Sequence, residues 1–120
     1  MNSFKGSCLC GNITYESNAE PILKAVCHCT DCQKQTSSAF SVVIGVPKSS
    51  FILKGDTIKN IPVKSDSGNT KKYSFCGNCG SHIFSNIEHD DYNEITFIKG
   101  GSLDQPKLST IAPDIEVFTD

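Results

Sequence analysis

Apolar and polar residues alternate along short stretches of this chain, and glycine, proline and small polar residues separate the stretches. The alternation is clearest at residues 13–16, Ile-Thr-Tyr-Glu, and at residues 94–99, Glu-Ile-Thr-Phe-Ile-Lys. Successive side chains of a β-strand point to opposite faces, so this pattern is typical of a half-buried strand. The stretches are also rich in β-branched and aromatic residues. We predict strands at residues 12–17, 22–27, 39–46, 50–53, 60–64, 72–75, 82–86, 94–99 and 115–118.

Signals for helices are sparse. One short helix is predicted at residues 30–35, where Thr30 or Asp31 would cap its N-terminus. A second helical turn is predicted at residues 102–105, because Pro106 would end it. A flexible loop is predicted at residues 66–70. The pattern therefore indicates a mainly β protein made of small antiparallel sheets, with little helix.

The length of the chain favours one domain. Its 120 residues are near the common domain size and leave no room for a second domain of that size, so we expect residues 1–120 to form a single unit. A domain this small buries only a modest hydrophobic core. A structural metal would therefore add usefully to its stability.

Charge and hydropathy exclude several classes of partner. The net charge is −2 and all eleven basic residues are lysine, so the chain lacks the guanidinium forks that bind phosphates and guanine edges. We therefore expect no nucleic-acid partner. Residues 1–5 do not begin a secretory signal, and the longest apolar stretch, residues 40–47, is too short to span a membrane. These features predict a cytoplasmic protein with reduced thiols and no membrane partner.

The seven cysteines fall into three groups with the short spacing of metal ligands. They are Cys8 and Cys10; Cys27, Cys29 and Cys32; and Cys76 and Cys79. One loop can present two or three such thiolates to one ion, and neighbouring glycines allow the tight turn that this requires. We therefore predict zinc sites. Buried, unreactive cysteines, a redox-active pair at Cys76 and Cys79, and an iron–sulfur cluster are the alternatives, but none explains the clustering and spacing of all seven.

The spacing also suggests how the ligands divide. A closed structural zinc takes four protein ligands, whereas a catalytic zinc commonly takes three and keeps one position open. Cys27, Cys29 and Cys32 lie within six consecutive residues, so they can meet one ion locally. The other two groups supply two ligands each and must join to complete four. Closing that long loop costs little extra entropy, since doubling a loop costs about 0.6 kcal/mol.

Three motifs resemble those of one known family. They are residues 6–11, Gly-Ser-Cys-Leu-Cys-Gly; residues 27–34, Cys-His-Cys-Thr-Asp-Cys-Gln-Lys; and residues 75–80, Phe-Cys-Gly-Asn-Cys-Gly. Their order and spacing resemble the glutathione-dependent formaldehyde-activating enzymes, a family that includes the centromere protein V type domains. Residues 100–104, Gly-Gly-Ser-Leu-Asp, resemble a further signature of that family. The resemblance runs from residue 6 to about residue 120, and it departs at Gln33 and Lys34, where the family often has an arginine.

The resemblance implies a β-tent, two small sheets packed together, with two zinc ions per chain. Cys8, Cys10, Cys76 and Cys79 would hold a structural zinc, and Cys27, Cys29 and Cys32 a catalytic one. It also implies a carbon–sulfur lyase that adds a small thiol such as glutathione to an aldehyde such as formaldehyde, or catalyses the reverse. Bound zinc would lower the pKa of the substrate thiol. The alternative functions are a non-catalytic zinc scaffold, a small-thiol-binding module and, last, chromatin binding, for which the chain has no basic extension.

Four residues beside the trio Cys27, Cys29 and Cys32 are candidates for roles around a bound metal. His28 should face away from the metal, because neighbours on a strand point to opposite faces. Asp31 and Gln33 could hydrogen-bond a bound water or substrate. In the alternative, Asp31 caps the helix and Gln33 faces solvent. Lys34 either attracts an anionic substrate or is simply solvated.

Residues farther from the trio are expected to have less specific roles. Ser37, Ser38 and Phe40 are candidates for a pocket wall, although Phe40 and Phe75 are expected in the core. His82 is expected to be a strand residue without a metal role. His89 lies among Glu88, Asp90 and Asp91 and is expected on an acidic surface turn.

Overall fold

The computed structural model describes residues 3–64, 68–106 and 111–117. Within these residues it contains eleven strands, one α-helix and two 3₁₀ turns. The strands are β1 (Phe4–Ser7), β2 (Thr14–Ser17), β3 (Leu23–Cys27), β4 (Ser41–Pro47), β5 (Phe51–Lys54), β6 (Ile58–Lys64), β7 (Thr70–Cys76), β8 (His82–Glu88), β9 (Ile95–Lys99), β10 (Leu103–Gln105) and β11 (Ile115–Val117). The helix is α1 (Thr30–Thr36), and the 3₁₀ turns are Lys48–Ser50 and Gly100–Ser102.

The strands form two sheets. The smaller sheet has four strands in the order β10-β1-β2-β5, and the larger has seven in the order β11-β3-β4-β9-β8-β7-β6. The described pairings are antiparallel except that of β11 with β3, which is parallel. The prediction of a mainly β fold with antiparallel sheets and little helix is confirmed, apart from this one parallel pair.

The hydrophobic core combines side chains from both sheets. Ile13 and Tyr15 come from the segment of β2, and Ile44, Val46 and Ile98 come from β4 and β9. All four of the aliphatic residues are completely buried. Because side chains alternate along a strand, the neighbours of the core residues on β4 and β9 lie on the opposite face of the large sheet. That opposite face positions one of the two sites described below.

All nine predicted strands are present, with shifts of at most two residues at either end. Two strands were missed, β1 and β10. The prediction of a helical turn at residues 102–105 is wrong, because Leu103 begins β10 and pairs with Gly6 of β1. Gly6 is needed at this pairing, since a Cβ there would overlap the ring of Tyr15. The predicted loop at 66–70 and the end of the predicted strand at 115–118 lie partly outside the described residues.

The predicted helix is present and one residue longer than expected, but its cap is different. Neither Thr30 nor Asp31 caps it. Cys29 occupies the N-cap position, and its sulfur accepts a hydrogen bond from the backbone N–H of Cys32. At seven residues the helix is short, and the described part of the chain contains no helix long and apolar enough to cross a membrane.

Candidate metal centres

Four thiols from two distant turns meet at one end of the core. Cys8 and Cys10 follow β1, Cys76 is the last residue of β7 and Cys79 lies in the turn after it. Their four sulfur atoms all lie within 4.8 Å of one another. The two turns are built alike, because a glycine with positive φ follows the second cysteine of each, Gly11 (83°) and Gly80 (79°). Their backbone N–H groups donate to the carbonyls of Cys8 at 3.1 Å and of Cys76 at 2.8 Å. A Cβ would strain both turns.

The spacing of the sulfur atoms fits a tetrahedral ion. The Sγ atoms of Cys8 and Cys10 are 3.5 Å apart, and those of Cys10 and Cys76 are 3.8 Å apart. Zinc–sulfur bonds of about 2.3 Å in a tetrahedron would separate the sulfurs by about 3.8 Å. A disulfide needs about 2.05 Å, and all seven cysteines of the chain are free thiols. We call this group the four-thiol cluster.

Each sulfur of the four-thiol cluster faces a hydrogen-bonding group that is not a cysteine. The contacts are Ile13 N to Cys8 (3.2 Å), Asn78 Nδ2 to Cys10 (3.3 Å), Thr57 Oγ1 to Cys76 (3.2 Å) and Ser81 Oγ to Cys79 (3.2 Å). Several hydrogen bonds, of which that from the Ser81 side chain has the largest effect, lower the pKa of the Cys79 thiol to about 5. The hydrogen bond from Thr57 likewise lowers the pKa of Cys76. Such donors favour the thiolate, which is the form that binds a metal.

The other three cysteines converge at the start of the helix. Cys27 is the last residue of β3, Cys29 caps α1 and Cys32 lies in its first turn. Their sulfurs lie within 4.8 Å of one another, with Cys27 and Cys29 3.5 Å apart. Cys27 is 9% and Cys32 5% exposed, and Cys29 is partly exposed. Among the described residues, no fourth histidine, cysteine or acidic group joins this trio.

His28 lies away from the trio, as expected for a residue between two inward-facing neighbours. Its Nε2 is 3.2 Å from a carboxylate oxygen of Glu116 on β11, and its ring packs 5.5 Å from that of Phe40. The parallel pairing of β11 with β3 places Glu116 next to Val26 and so holds this contact. The His28 side chain therefore contacts Glu116 and Phe40 rather than the trio.

A lysine that the sequence analysis did not single out lies near the trio. Lys99 ends β9 and is 7% exposed, and its ammonium donates a 2.9 Å hydrogen bond to Ser41 Oγ. In the register of the large sheet, Ser41 lies opposite Cys27, and Lys99 lies opposite Val43. Cys27, Ser41 and Lys99 therefore share the face of the sheet that is turned away from the core.

The electrostatic environment of Lys99 has two opposing parts. Burial lowers the pKa of its ammonium. The nearby sulfur atoms of Cys32, Cys27 and Cys29 raise that pKa in part, because a negative charge on them favours the ammonium. Its Nζ lies 5.8 Å from the centre of the Tyr73 ring. Burial also raises the pKa of Tyr73 to about 12, so that its hydroxyl stays neutral at physiological pH.

A cavity of about 780 Å³ runs past Lys99. Thr36, Phe40 and Ser41 form the wall on the side of the trio, and Cys8 and Ser81 form the wall beside the four-thiol cluster. The trio cysteines themselves are not lining residues, but Thr36 donates a 2.7 Å hydrogen bond to the carbonyl of Cys32. The cavity therefore approaches the trio through Thr36 and through Ser41, which pairs with Cys27.

Comparison with known proteins assigns the chain to a family. A sequence model of the family described as glutathione-dependent formaldehyde-activating enzyme matches residues 3–120. The chain belongs to this family. A crystal structure of a Rhodobacter sphaeroides protein is similar in fold, with a TM-score of 0.70 at 16% sequence identity over 93% of this chain and 98% of that one. At this identity the likeness supports the fold alone.

The structure corrects part of what was predicted for Asp31, Gln33 and Lys34, the residues beside the trio. Asp31 is not the helix cap, and Gln33 donates a 3.2 Å hydrogen bond to the carbonyl of Ala39. Lys34 is exposed, and with Asp31 and Phe75 it lines a second, mostly apolar hollow of about 480 Å³. The cation on the buried side of the trio is Lys99, not Lys34. A lysine that ends an otherwise apolar strand, directly before two glycines, is the signal that could have revealed it.

The pocket-wall residues differ from expectation in one respect. Phe40 was expected in the core, but it is 43% exposed and lines the larger cavity. Ser37 ends the helix in the left-handed conformation, and Ser38 Oγ donates to the carbonyl of Phe40 at 2.7 Å. Phe75 is only partly buried and packs on His82.

The two other histidines lie outside both cysteine groups. His82 begins β8 and its Nδ1 accepts a 2.6 Å hydrogen bond from Gln35 Nε2. His89 lies on the surface turn after β8, where its ring nitrogen accepts a hydrogen bond from the backbone N–H of Asp91. Neither belongs to a group that could hold a metal among the described residues.

Proposed function

We propose that this chain, as a single domain over residues 1–120, is a zinc-dependent carbon–sulfur lyase. It joins a small thiol such as glutathione to an aldehyde such as formaldehyde, or catalyses the reverse reaction. The family name supports this substrate pair. The observation that carries the proposal is the trio, three converging thiols without a fourth protein donor in the described part of the chain.

The donor chemistry supports zinc in both groups. Sulfur ligands select soft or borderline ions, and a set of four suits a closed tetrahedral site. Cys8, Cys10, Cys76 and Cys79 would hold the structural ion, and Cys27, Cys29 and Cys32 the catalytic one. When bound at the trio, zinc supplies an open coordination position and lowers the pKa of a thiol that takes it.

The residues of the chain supply the binding space. The cavity of about 780 Å³ has the size of a small-molecule site, which would accommodate a tripeptide thiol. Its rim carries a carboxylate, Asp104, that accepts a 2.7 Å hydrogen bond from Ser7 and can meet a substrate ammonium group. Its wall includes the apolar ring of Phe40.

The proposal also places the protein in a reducing compartment such as the cytoplasm. Both cysteine groups bring free thiols within reach of each other, and oxidation to disulfides would remove the ligands. The sulfur atoms must stay reduced for either group to bind metal.

The test is the rate of exchange between formaldehyde and its glutathione adduct, measured by NMR with ¹³C-formaldehyde. The reaction also proceeds without catalyst, so the expected result is an exchange rate that rises in proportion to protein concentration. The matched control is Cys29→Ser, which should return the rate to the uncatalysed value while the protein stays folded. A wild-type protein with two bound zinc ions that leaves the rate unchanged would contradict the lyase and favour a zinc scaffold.

A further inference from the structure

The ammonium of Lys99 is a buried charge with few partners. Its side chain is 7% exposed, and its one hydrogen bond within residues 3–64, 68–106 and 111–117 goes to Ser41 Oγ. No carboxylate of these residues forms an ion pair with it. An ammonium carries three donors, so two remain for other partners. Burying a charge without a counter-ion is unfavourable, and such groups are therefore candidates for a functional role.

The position of Lys99 links the trio to the cavity. It lies on the same sheet face as Cys27, with Ser41 between them, and its charge acts on all three thiols of the trio. It also lines the cavity of about 780 Å³. Ser41, which pairs with Cys27, lines the cavity as well, so a thiol that lies in the cavity and extends its sulfur past Ser41 toward the trio would bring that sulfur toward the Lys99 ammonium.

Accepting the proposed function, we propose that Lys99 is a catalytic residue whose ammonium donates a hydrogen bond to the aldehyde oxygen as the thiolate adds. A carbonyl oxygen gains negative charge during this addition, and a fixed positive donor stabilises it more than the uncharged starting aldehyde. Charge-assisted hydrogen bonds are the stronger kind, and they strengthen further where water is excluded.

The step balances without a further reactant. A lone pair on the thiolate sulfur forms the new carbon–sulfur bond, and the π pair of the carbonyl moves to oxygen. The oxygen then takes the proton that the thiol lost to water, which gives the S-hydroxymethyl product. Lys99 remains an ammonium throughout. In the reverse direction the hydroxyl loses its proton, and Lys99 stabilises the alkoxide before the carbon–sulfur bond breaks.

A competing role for Lys99 is to bind a carboxylate of the thiol substrate. The hydrogen bond of Lys99 to Ser41, which pairs with Cys27, argues for the reacting end of the substrate instead, because the carboxylates of glutathione lie several bonds from its sulfur. The two roles differ in what they change. A donor to the developing oxyanion affects kcat, whereas a carboxylate anchor affects the KM for the thiol.

The test compares Lys99→Met with the wild type in the exchange assay, at saturating and limiting thiol. We expect kcat to fall by about 10²-fold, as when one oxyanion donor is removed, and KM for the thiol to change by less than about threefold. Lys99→Gln, which keeps a polar group for Ser41, is measured beside it in case the methionine variant folds poorly. Lys72→Met is the control, because Lys72 is an exposed lysine of β7 outside the cavity. Lys99→Arg, which keeps the charge, should recover part of the rate.

A binding measurement provides a readout that does not depend on turnover. Glutathione sulfonate carries charged oxygens on its sulfur, and S-methylglutathione does not. Lys99→Met should weaken binding of the sulfonate by about tenfold and leave that of the S-methyl compound unchanged, with zinc content and circular dichroism as in the wild type.

Three outcomes decide between the inference and the proposed function. If the wild type accelerates exchange but Lys99→Met keeps its kcat, or changes only KM, the assignment of Lys99 is overturned and the lyase stands. Equal weakening of both ligands in the binding measurement overturns the assignment as well. If the zinc-loaded wild type does not accelerate exchange, the proposed function itself is overturned, and the catalytic role of Lys99 with it.

Discussion

The two cysteine groups differ in where their ligands come from and in what surrounds them. The four-thiol cluster joins turns that are distant in sequence, with Cys10 and Cys76 separated by 66 positions. Cys8 and Cys76 belong to the hydrophobic core. The trio is local, because β3 and the first turn of α1 supply all three thiols, and it lies toward the opposite face of the large sheet.

Under the proposed function, this difference would separate stability from chemistry within one small fold. A metal in the four-thiol cluster would connect the two halves of the chain through the core, so that folding and metal binding would be coupled there. A metal at the trio would be held by residues within a six-residue segment that the sheet already positions. We therefore expect loss of a ligand to unfold the protein at the first site and to abolish activity without unfolding at the second.

The largest effect is expected for Cys76→Ala in the four-thiol cluster. Cys76 is completely buried, and structural zinc contributes roughly 10–16 kcal/mol of apparent binding free energy. That exceeds or matches the total stability of about 5–15 kcal/mol of a typical domain. We expect this variant to be unfolded, with no cooperative thermal transition by circular dichroism. A melting temperature within a few degrees of the wild type would contradict the structural assignment.

The matched change in the trio is Cys29→Ser. Serine is a preferred N-cap, so α1 keeps its cap while the trio loses a soft ligand. We expect the melting temperature to shift by less than about 5 °C, equivalent to roughly 1 kcal/mol. Bound zinc should fall from two ions to one, and exchange activity should fall by about a thousandfold, the loss of the several kcal/mol that a catalytic metal supplies.

Metal analysis by mass spectrometry under native conditions checks the Cys29→Ser prediction. An unfolded Cys29→Ser protein would mean that the trio also maintains the fold. A variant that keeps both ions would mean that Cys29 is not a ligand. Either result removes the contrast between the two sites.

A smaller effect is expected when a hydrogen bond to the four-thiol cluster is removed. Valine has nearly the same shape as threonine, so Thr57→Val removes only the Oγ1 that contacts Cys76 Sγ at 3.2 Å. Loss of such a contact typically weakens metal affinity by about 10–100-fold, and a neutral hydrogen bond contributes about 1 kcal/mol to stability. Competition with a chelator should show earlier zinc loss than in the wild type. Thr14→Val, at an exposed position of β2, is the control and should behave as the wild type.

The sequence predicts what depends on local spacing. The three cysteine motifs, the short helix and nine of the strands follow from patterns within a few residues of one another. The meeting of the first and third cysteine motifs also follows from the sequence, because each supplies only two of the four ligands that a closed zinc site needs. Within the four-thiol cluster, and separately within the trio, the sulfur atoms lie within 4.8 Å of one another, which agrees with this reasoning. The roles assigned to the individual residues stay predictions.

Features that arise from non-local pairing could not be predicted. Lys99 could be suspected from its place at the end of a hydrophobic strand, but its burial could not, because the pairing of β9 with β4 places it across from Val43 and within hydrogen-bond distance of Ser41. The missed strand β10 exists because it pairs with β1, which lies far away in sequence. Phe40 is exposed in the connection between α1 and β4, which begins at Ser37 in the left-handed conformation.

The smallest effect is expected from His82, which lines both cavities. Burial lowers its pKa, and the charge of Lys99 lowers it further. Between the folded pKa and the ordinary value near 6.5, the unfolded chain binds more protons than the folded one. The contribution of His82 to stability is therefore complete above pH 6.5 and is lost as the pH falls below it.

Urea denaturation of the wild type and His82→Gln at pH 7.5 and pH 5.5 isolates this contribution. Protonation of the thiol ligands weakens both proteins alike, so the difference between them belongs to the histidine. We expect the wild type to lose somewhat more stability than His82→Gln over this interval, because only the wild type carries an imidazole whose charged form is disfavoured by partial burial and by Lys99. The difference should be small, since the His82 side chain is exposed. In the Lys99→Met background the difference between the two losses should narrow further, because one of the two causes of the lowered pKa is gone. An equal loss in wild type and His82→Gln would mean that the fold does not disfavour the charged imidazole.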